Sequence, residues 1–239
     1  MEPVRISKYF TDCGVMSRRA AEAAIERGEV TVNGQPATLG QKITPRVDRV
    51  MYRNRPVLPP SNDEKICIML NKPRGYVTTM SDEQGRHTVR ELCADAGVRL
   101  YPIGRLDMDS DGLLLMTNDG DLANRLSHPR QEVQKIYLAL VDGAVSTEQL
   151  EHLAHPIEID GHMTSPATVR KVTFNGKQTI LEVTIHDGRN RQVRRLCERE
   201  GLRVAKLTRV AEGSLQLGNL PEGKWRRLSK AEIQRLKQS

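Results

Sequence analysis

The 239 residues predict an α+β chain of two domains. Residues 1–60 read as a small unit of two helices and a hairpin, and residues 61–239 as a larger unit with a mixed, mainly antiparallel sheet and flanking helices. Three observations carry this. The run from Leu58 to Glu64 is rich in turn formers, has no apolar periodicity and reads as a linker. Ahead of it, two short helical patterns precede a hairpin signal. Behind it, strand-like runs do not alternate regularly with long helices, which disfavours a doubly wound parallel sheet.

In the first unit Ile6, Tyr9 and Phe10 recur at helical spacing until Gly14. Ser17 can cap a second helix, 18–27, that Gly28 ends. Asn33-Gly34 then separates two short strand-like runs, the pairing that a tight hairpin turn demands. In the larger unit 65–70, 76–78, 135–141 and 179–186 are strand-like, the last alternating Leu181, Val183 and Ile185 against Glu182, Thr184 and His186. Helices are expected over 121–126, 147–154, 191–200 with Gly201 behind it, and 230–236 behind a Ser229-x-x-Glu232 capping box.

Hydrophobic residues make up 38% and charged residues 28% of the chain, enough for a core and unlike a disordered tail. No stretch approaches the roughly 18 consecutive apolar residues of a membrane span. The opening Met1 to Arg5 lacks the charged-then-apolar order of a signal peptide, so a cytoplasmic protein without a membrane partner is expected. Cys13, Cys67, Cys93 and Cys197 form no C-x-x-C pair, which argues against a disulfide framework and a structural zinc; each reads as a small buried hydrophobe. His152 and His155 lie three apart on an expected helix but have no third ligand nearby, so no metal is expected there.

The net charge is +7, and it is unevenly spread. Residues 1–60 hold ten basic against six acidic side chains, and residues 186–209 hold eight against three. Two separate basic patches favour an extended polyanion as partner, with two solvated faces as the alternative. Lys8, Arg18 and Arg19 sit where the two N-terminal helices begin or turn, where phosphate is already favoured.

The densest chemistry lies between Tyr101 and Gly120, where Asp107, Asp109 and Asp111 alternate ahead of Gly112. D-x-D-x-D-G opens a calcium loop, but the twelfth position is Asn118 instead of a bidentate Glu, and Pro102 and Gly104 spoil the entering helix. A second reading is a catalytic carboxylate, which needs a nearby cation to stay charged among like charges; Arg105 and the basic run after residue 186 are candidates. The third is that the carboxylates only cap a following turn.

Several runs resemble known families. Arg5-Ile-Ser-Lys-Tyr-Phe10, Gly14, Ser17-Arg-Arg-Ala20, Ile25, Gly28, Val30 and Val32-Asn-Gly34 resemble the small RNA-binding domain named after ribosomal protein S-four. That resemblance implies that Lys8, Arg18 and Arg19 face RNA phosphate. The segment from Thr44 to Val50 departs from it, lacking the usual glycine before Asp48. Gly104-Arg-Leu-Asp107 with Ser110 to Gly120, Leu70-Asn-Lys-Pro-Arg-Gly75, Lys135-Ile-Tyr137 and Gly188-Arg-Asn-Arg-Gln-Val-Arg-Arg195 resemble the ribosomal RNA pseudouridine synthases of the RsuA/RluB group.

The resemblance implies an enzyme that breaks the glycosidic bond of a uridine, turns the uracil and rejoins it through carbon 5. This is a redox-neutral isomerisation that calls for no cofactor and no metal. It implies Asp107 as the catalytic carboxylate, Tyr137 against the uracil face, and Arg194 as the arginine that pairs with the carboxylate. It places Leu207 near the uracil and links Arg105 to the space left by the extruded nucleotide. Arg191, Arg195 and Arg199 recur every four positions on one face of the expected helix, and with Arg189 that face should point at RNA. Met108-Asp-Ser-Asp111 departs from relatives that often carry Thr at position 110. The run after Gly188 lacks the Tyr-His pair of the small-subunit enzyme, so the expected partner is 23S ribosomal RNA in a pre-ribosomal particle, with the chain acting as a monomer. The alternatives are a 16S enzyme and a non-catalytic ribosome assembly factor.

Overall fold

The computed structural model describes residues 2–59, 65–127 and 133–238, so residues 60–64 of the expected linker lie outside the described residues. The chain divides into two compact units between Lys65 and Ile66.

In the first unit the helices are Ile6–Asp12 and Arg18–Glu26, and the Ser17 hydroxyl accepts from the Ala20 amide as its sequence position predicts. Asn33 and Gly34 both take positive φ, 51° and 83°, as the hairpin between Val30–Val32 and Gln35–Pro36 requires. Val50–Tyr52 and Arg55–Pro56 extend this sheet to four strands, and Val4–Arg5 pairs separately with Lys42–Ile43. Ile6, Phe10, Ala21, Ile25, Val30 and Val50 form its core. Where the usual glycine is missing, Arg46 takes the positive φ and Asp48 accepts from the Thr44 amide at 2.6 Å, so the turn is kept by a side chain.

The second unit is a nine-stranded sheet in the order Thr168–Phe174, Gln178–Ile185, Lys135–Asp142, Val204–Glu212, Asp111–Thr117, Cys67–Lys72, Trp225–Arg227, with Leu215–Gln216 and Tyr101–Ile103 paired off this path. Among the described strands, one pairing is parallel, Val204–Glu212 with Asp111–Thr117. The others are antiparallel, in line with the expected mixed sheet.

Asp111–Thr117 is buried along its whole length because alternate residues enter different cores. Leu114 and Met116 face a core with Ala139, Leu181 and Val193, while Leu113 and Leu115 face Met69, Leu122 and Leu236. The helices Gly120–Ser127, Thr147–Ala154, Gln192–Arg199 and Lys230–Leu236 fall where expected, the last with its Ser229/Glu232 capping box formed. One expectation fails: 76–78 is not a strand. There Val77 makes only an isolated bridge to Thr88, and the Thr78 side chain is spent on the backbone of Leu106. No described helix is long and apolar enough to cross a membrane.

Candidate active site

The acidic loop, residues 104–110, joins two antiparallel neighbours, Tyr101–Ile103 and Asp111–Thr117. A loop between paired strands needs its backbone polar groups satisfied, and residues 72–78 supply the partners. The Lys72 ammonium, fully buried, donates to the carbonyls of Pro73, Asp107 and Ser110 at 3.0, 3.1 and 2.9 Å. The Gly75 amide donates to Met108 at 2.7 Å, and the Thr78 hydroxyl donates to Leu106 at 2.6 Å. The Leu70–Gly75 motif is thus the floor on which Asp107 stands. Burial pulls the Lys72 ammonium down to about 8, against the attraction of Asp111, Asp107 and Asp109.

The opposing elements bring cations. Gly188 takes a positive φ against the Lys135 side chain, and Arg191, at φ 51°, begins the helix Gln192–Arg199. Asp187 holds this turn by accepting from Ser165 at 2.7 and 3.0 Å and from Gln192 at 3.2 Å; Gln192 in turn accepts from the Arg189 amide at 3.1 Å. Arg105, Asp107, Tyr137, Arg189, Arg191 and Leu207 line one cleft of about 400 Å³. That volume suits a small ligand such as a single nucleotide.

The structure corrects the expected pairing of Arg194 with Asp107. Asp107 makes its ion pair with Arg191 at 3.6 Å, whereas Arg194 meets the Asp109 carboxylate at 3.3 Å and donates to the Asp109 and Val204 carbonyls at 2.9 and 3.3 Å. The reason is depth. Arg194 lies in the first turn of its helix, almost fully buried beneath the loop, and a buried guanidinium goes to the acceptors within reach there. Arg191 also grips Asp109 with two hydrogen bonds of 3.1 and 3.0 Å. Partial burial works to raise the Asp109 carboxyl, but these arginines outweigh it and hold it below the usual range.

The arginine face is also partly spent within the protein. Arg195 reaches Asp160 at 3.8 Å, and Arg199 pairs with Glu200 at 3.0 Å and with the carbonyl of His152. In the other unit Lys8 pairs with Asp12 at 3.3 Å, while Arg18 and Arg19 open their helix exposed. His152 meets Glu200 at 3.2 Å, and among the described residues no three His, Cys, Asp or Glu are placed to hold a metal ion. Cys67, Cys93 and Cys197 are buried as expected; Cys13 is half-buried.

Sequence reasoning missed Arg209 and Glu212. Arg209 faces Tyr137 across the strand pair, 1% exposed, with its Nε donating to Leu113 at 2.7 Å and its Nη2 3.3 Å from Glu212. The available signal was the alternation of Leu207, Arg209 and Ala211, which puts the arginine on the same face as Leu207.

Comparison with known proteins bears on this arrangement. The family model described as RNA pseudouridylate synthase matches residues 66–199, and the S4 domain model matches residues 14–53. The chain is 43% identical, over 99% of its length and 94% of the relative's, to an uncharacterised RNA pseudouridine synthase of Aquifex aeolicus. It is 40% identical, over 98% of its length and 95% of the relative's, to ribosomal large subunit pseudouridine synthase B of Bacillus subtilis. A crystal structure of a pseudouridylate synthase superposes with a TM-score of 0.67 at 28% identity, covering 98% of this chain and 99% of the other. With the family model over more than half of the chain and these relatives matched along nearly all of it, the protein belongs to the RNA pseudouridylate synthases.

Proposed function

We propose that this enzyme isomerises a uridine of 23S ribosomal RNA, within a partly assembled large-subunit particle, and that Asp107 is its catalytic carboxylate. The observation that carries the proposal is the cleft itself, in which Asp107 and Tyr137 share a nucleotide-sized space bordered by Arg105, Arg189 and Arg191. In this reading Arg191 pairs with the Asp107 carboxylate at 3.6 Å, and Arg194 acts through Asp109 to hold the loop. Tyr137 and Leu207 bound the uracil. The C1′–N1 bond breaks, the C1′–C5 bond forms, N1 gains a proton and C5 loses one, with Tyr137 placed to serve in that transfer.

The cleft cannot reach the glycosidic bond of a stacked base, so the uridine is extruded, and Arg105 enters the gap it leaves. Lys8, Arg18 and Arg19 contact RNA phosphate. The large-subunit assignment is supported by the Bacillus subtilis relative and by the Arg189-Asn-Arg191 run without a Tyr-His pair. The test is release of tritium from carbon 5 of uridine in three substrates: 23S RNA, 16S RNA and a partly assembled large-subunit particle. Release from 23S RNA, fastest in the particle, is expected; release from 16S RNA alone would overturn the large-subunit assignment.

A further inference from the structure

Tyr137 belongs to two cavities. A second one, of about 130 Å³, shares Arg105, Tyr137 and Gly188 with the cleft and is bounded also by Lys135, Arg209 and Glu212. Arg209 and Glu212 do not line the cleft, and Tyr137, which walls both cavities and sits opposite Arg209 in the sheet, stands between them and its contents.

The pair is costly where it stands. Both side chains are almost wholly buried, 1% and 3% exposed, and although Nη2 and Oε2 face each other at 3.3 Å, both atoms lack a hydrogen-bond partner. A buried ion pair with unfilled hydrogen bonds is a poor stabiliser compared with a packed apolar pair. The geometry gives it another use. Tyr137 and Arg209 are directly opposite across antiparallel strands, Lys135 lies opposite Glu212, and the Tyr137, Arg209 and Glu212 side chains wall the same small cavity. A guanidinium only donates, so toward the phenol it can offer a hydrogen but take none, and the phenol's own hydrogen is left for a different acceptor. Arg209 is in turn fixed at both ends, by the Leu113 carbonyl and by Glu212.

We propose that Arg209 and Glu212 are positioning residues for Tyr137, a buried pair that orients the phenol hydroxyl toward the cleft for the proton transfer at uracil. This rests on the proposed role of Tyr137 in uridine isomerisation. Fixing the phenol affects the chemical step more than RNA binding, so the pair should show in kcat and not in KM.

The test is tritium release from the RNA substrate by the full-length enzyme, with kcat and KM taken separately for Arg209→Met, Arg209→Lys and Glu212→Gln, and with thermal unfolding followed in parallel. Arg209→Met and Glu212→Gln should each lower kcat about tenfold with KM within about twofold, and Arg209→Lys, which keeps a donor, should recover part of the loss. In a Tyr137→Phe background the Glu212→Gln loss should vanish, because the hydroxyl it acts through is gone. Glu212→Gln keeps the shape of the site, so it decides the matter if Arg209→Met does not fold. Unchanged kcat, a rise in KM alone, or an equal loss in the Tyr137→Phe background would overturn the positioning role and leave the isomerase reading standing. A wild-type enzyme that releases no tritium from any ribosomal RNA would overturn both.

Discussion

Lys72 sets the acidic loop by offering three hydrogens to three carbonyls, an arrangement that only the charged amine satisfies. Burial lowers its pKa from 10.5 to about 8, so between those values the folded chain has released a proton that the unfolded chain keeps. Stability gains about 1.4 kcal/mol per pH unit from this group across that window, since the native state binds fewer protons there. Activity should move the other way, because a neutral amine leaves one carbonyl unserved. Denaturant midpoints and kcat measured from pH 8 upward should therefore diverge in the wild type, and the stability rise should shrink in Lys72→Met; parallel stability curves for the two proteins would contradict this. The motif that contains Lys72 was visible in the sequence, but its task was not, since the expected strand stopped at residue 70 and the loop that Lys72 serves is 35 residues away in the chain. The same holds for Arg194, whose motif was visible while its choice of Asp109 over Asp107 depended on depth.

At the scale of elements, the helices and turns were legible because their signals are local. The Ser17 and Ser229 caps and the Asn33-Gly34 turn each act within four residues. Asp111–Thr117 was not read as a strand. It is buried on both sides, so the period-two contrast that reveals a surface strand is absent. Val204–Glu212 stayed hidden for a related reason, as its charged Arg209 points inward. These two strands form the parallel pair, and Gly112 lets them meet: its φ is 106°, and a Cβ there would strike the Arg209 backbone. Gly112→Ala should cost at least about 3 kcal/mol in chemical unfolding and disturb Arg209 and Asp107 together. A loss under about 1 kcal/mol would show that the contact yields readily.

At the scale of the whole molecule, charge is concentrated in the first 60 residues and around the cleft, while the remainder is nearly balanced. If Arg18 and Arg19 contact phosphate, Arg18→Ala/Arg19→Ala should weaken RNA binding, reduce the slope of log affinity against log salt by about 2, and raise KM with kcat unchanged. An unchanged slope would take these arginines out of the RNA interface. The proposed reaction turns on one carboxylate in one cleft. The most direct measurement is single-turnover tritium release from 23S RNA by wild type and by Asp107→Ala, with RNA affinity measured alongside. We predict that release disappears in the variant while RNA affinity stays within about threefold, since the Asp107 carboxylate pairs with Arg191 and the buried Lys72 holds only the backbone carbonyl, which the substitution keeps. Release by Asp107→Ala at a rate near that of the wild type would contradict the central claim.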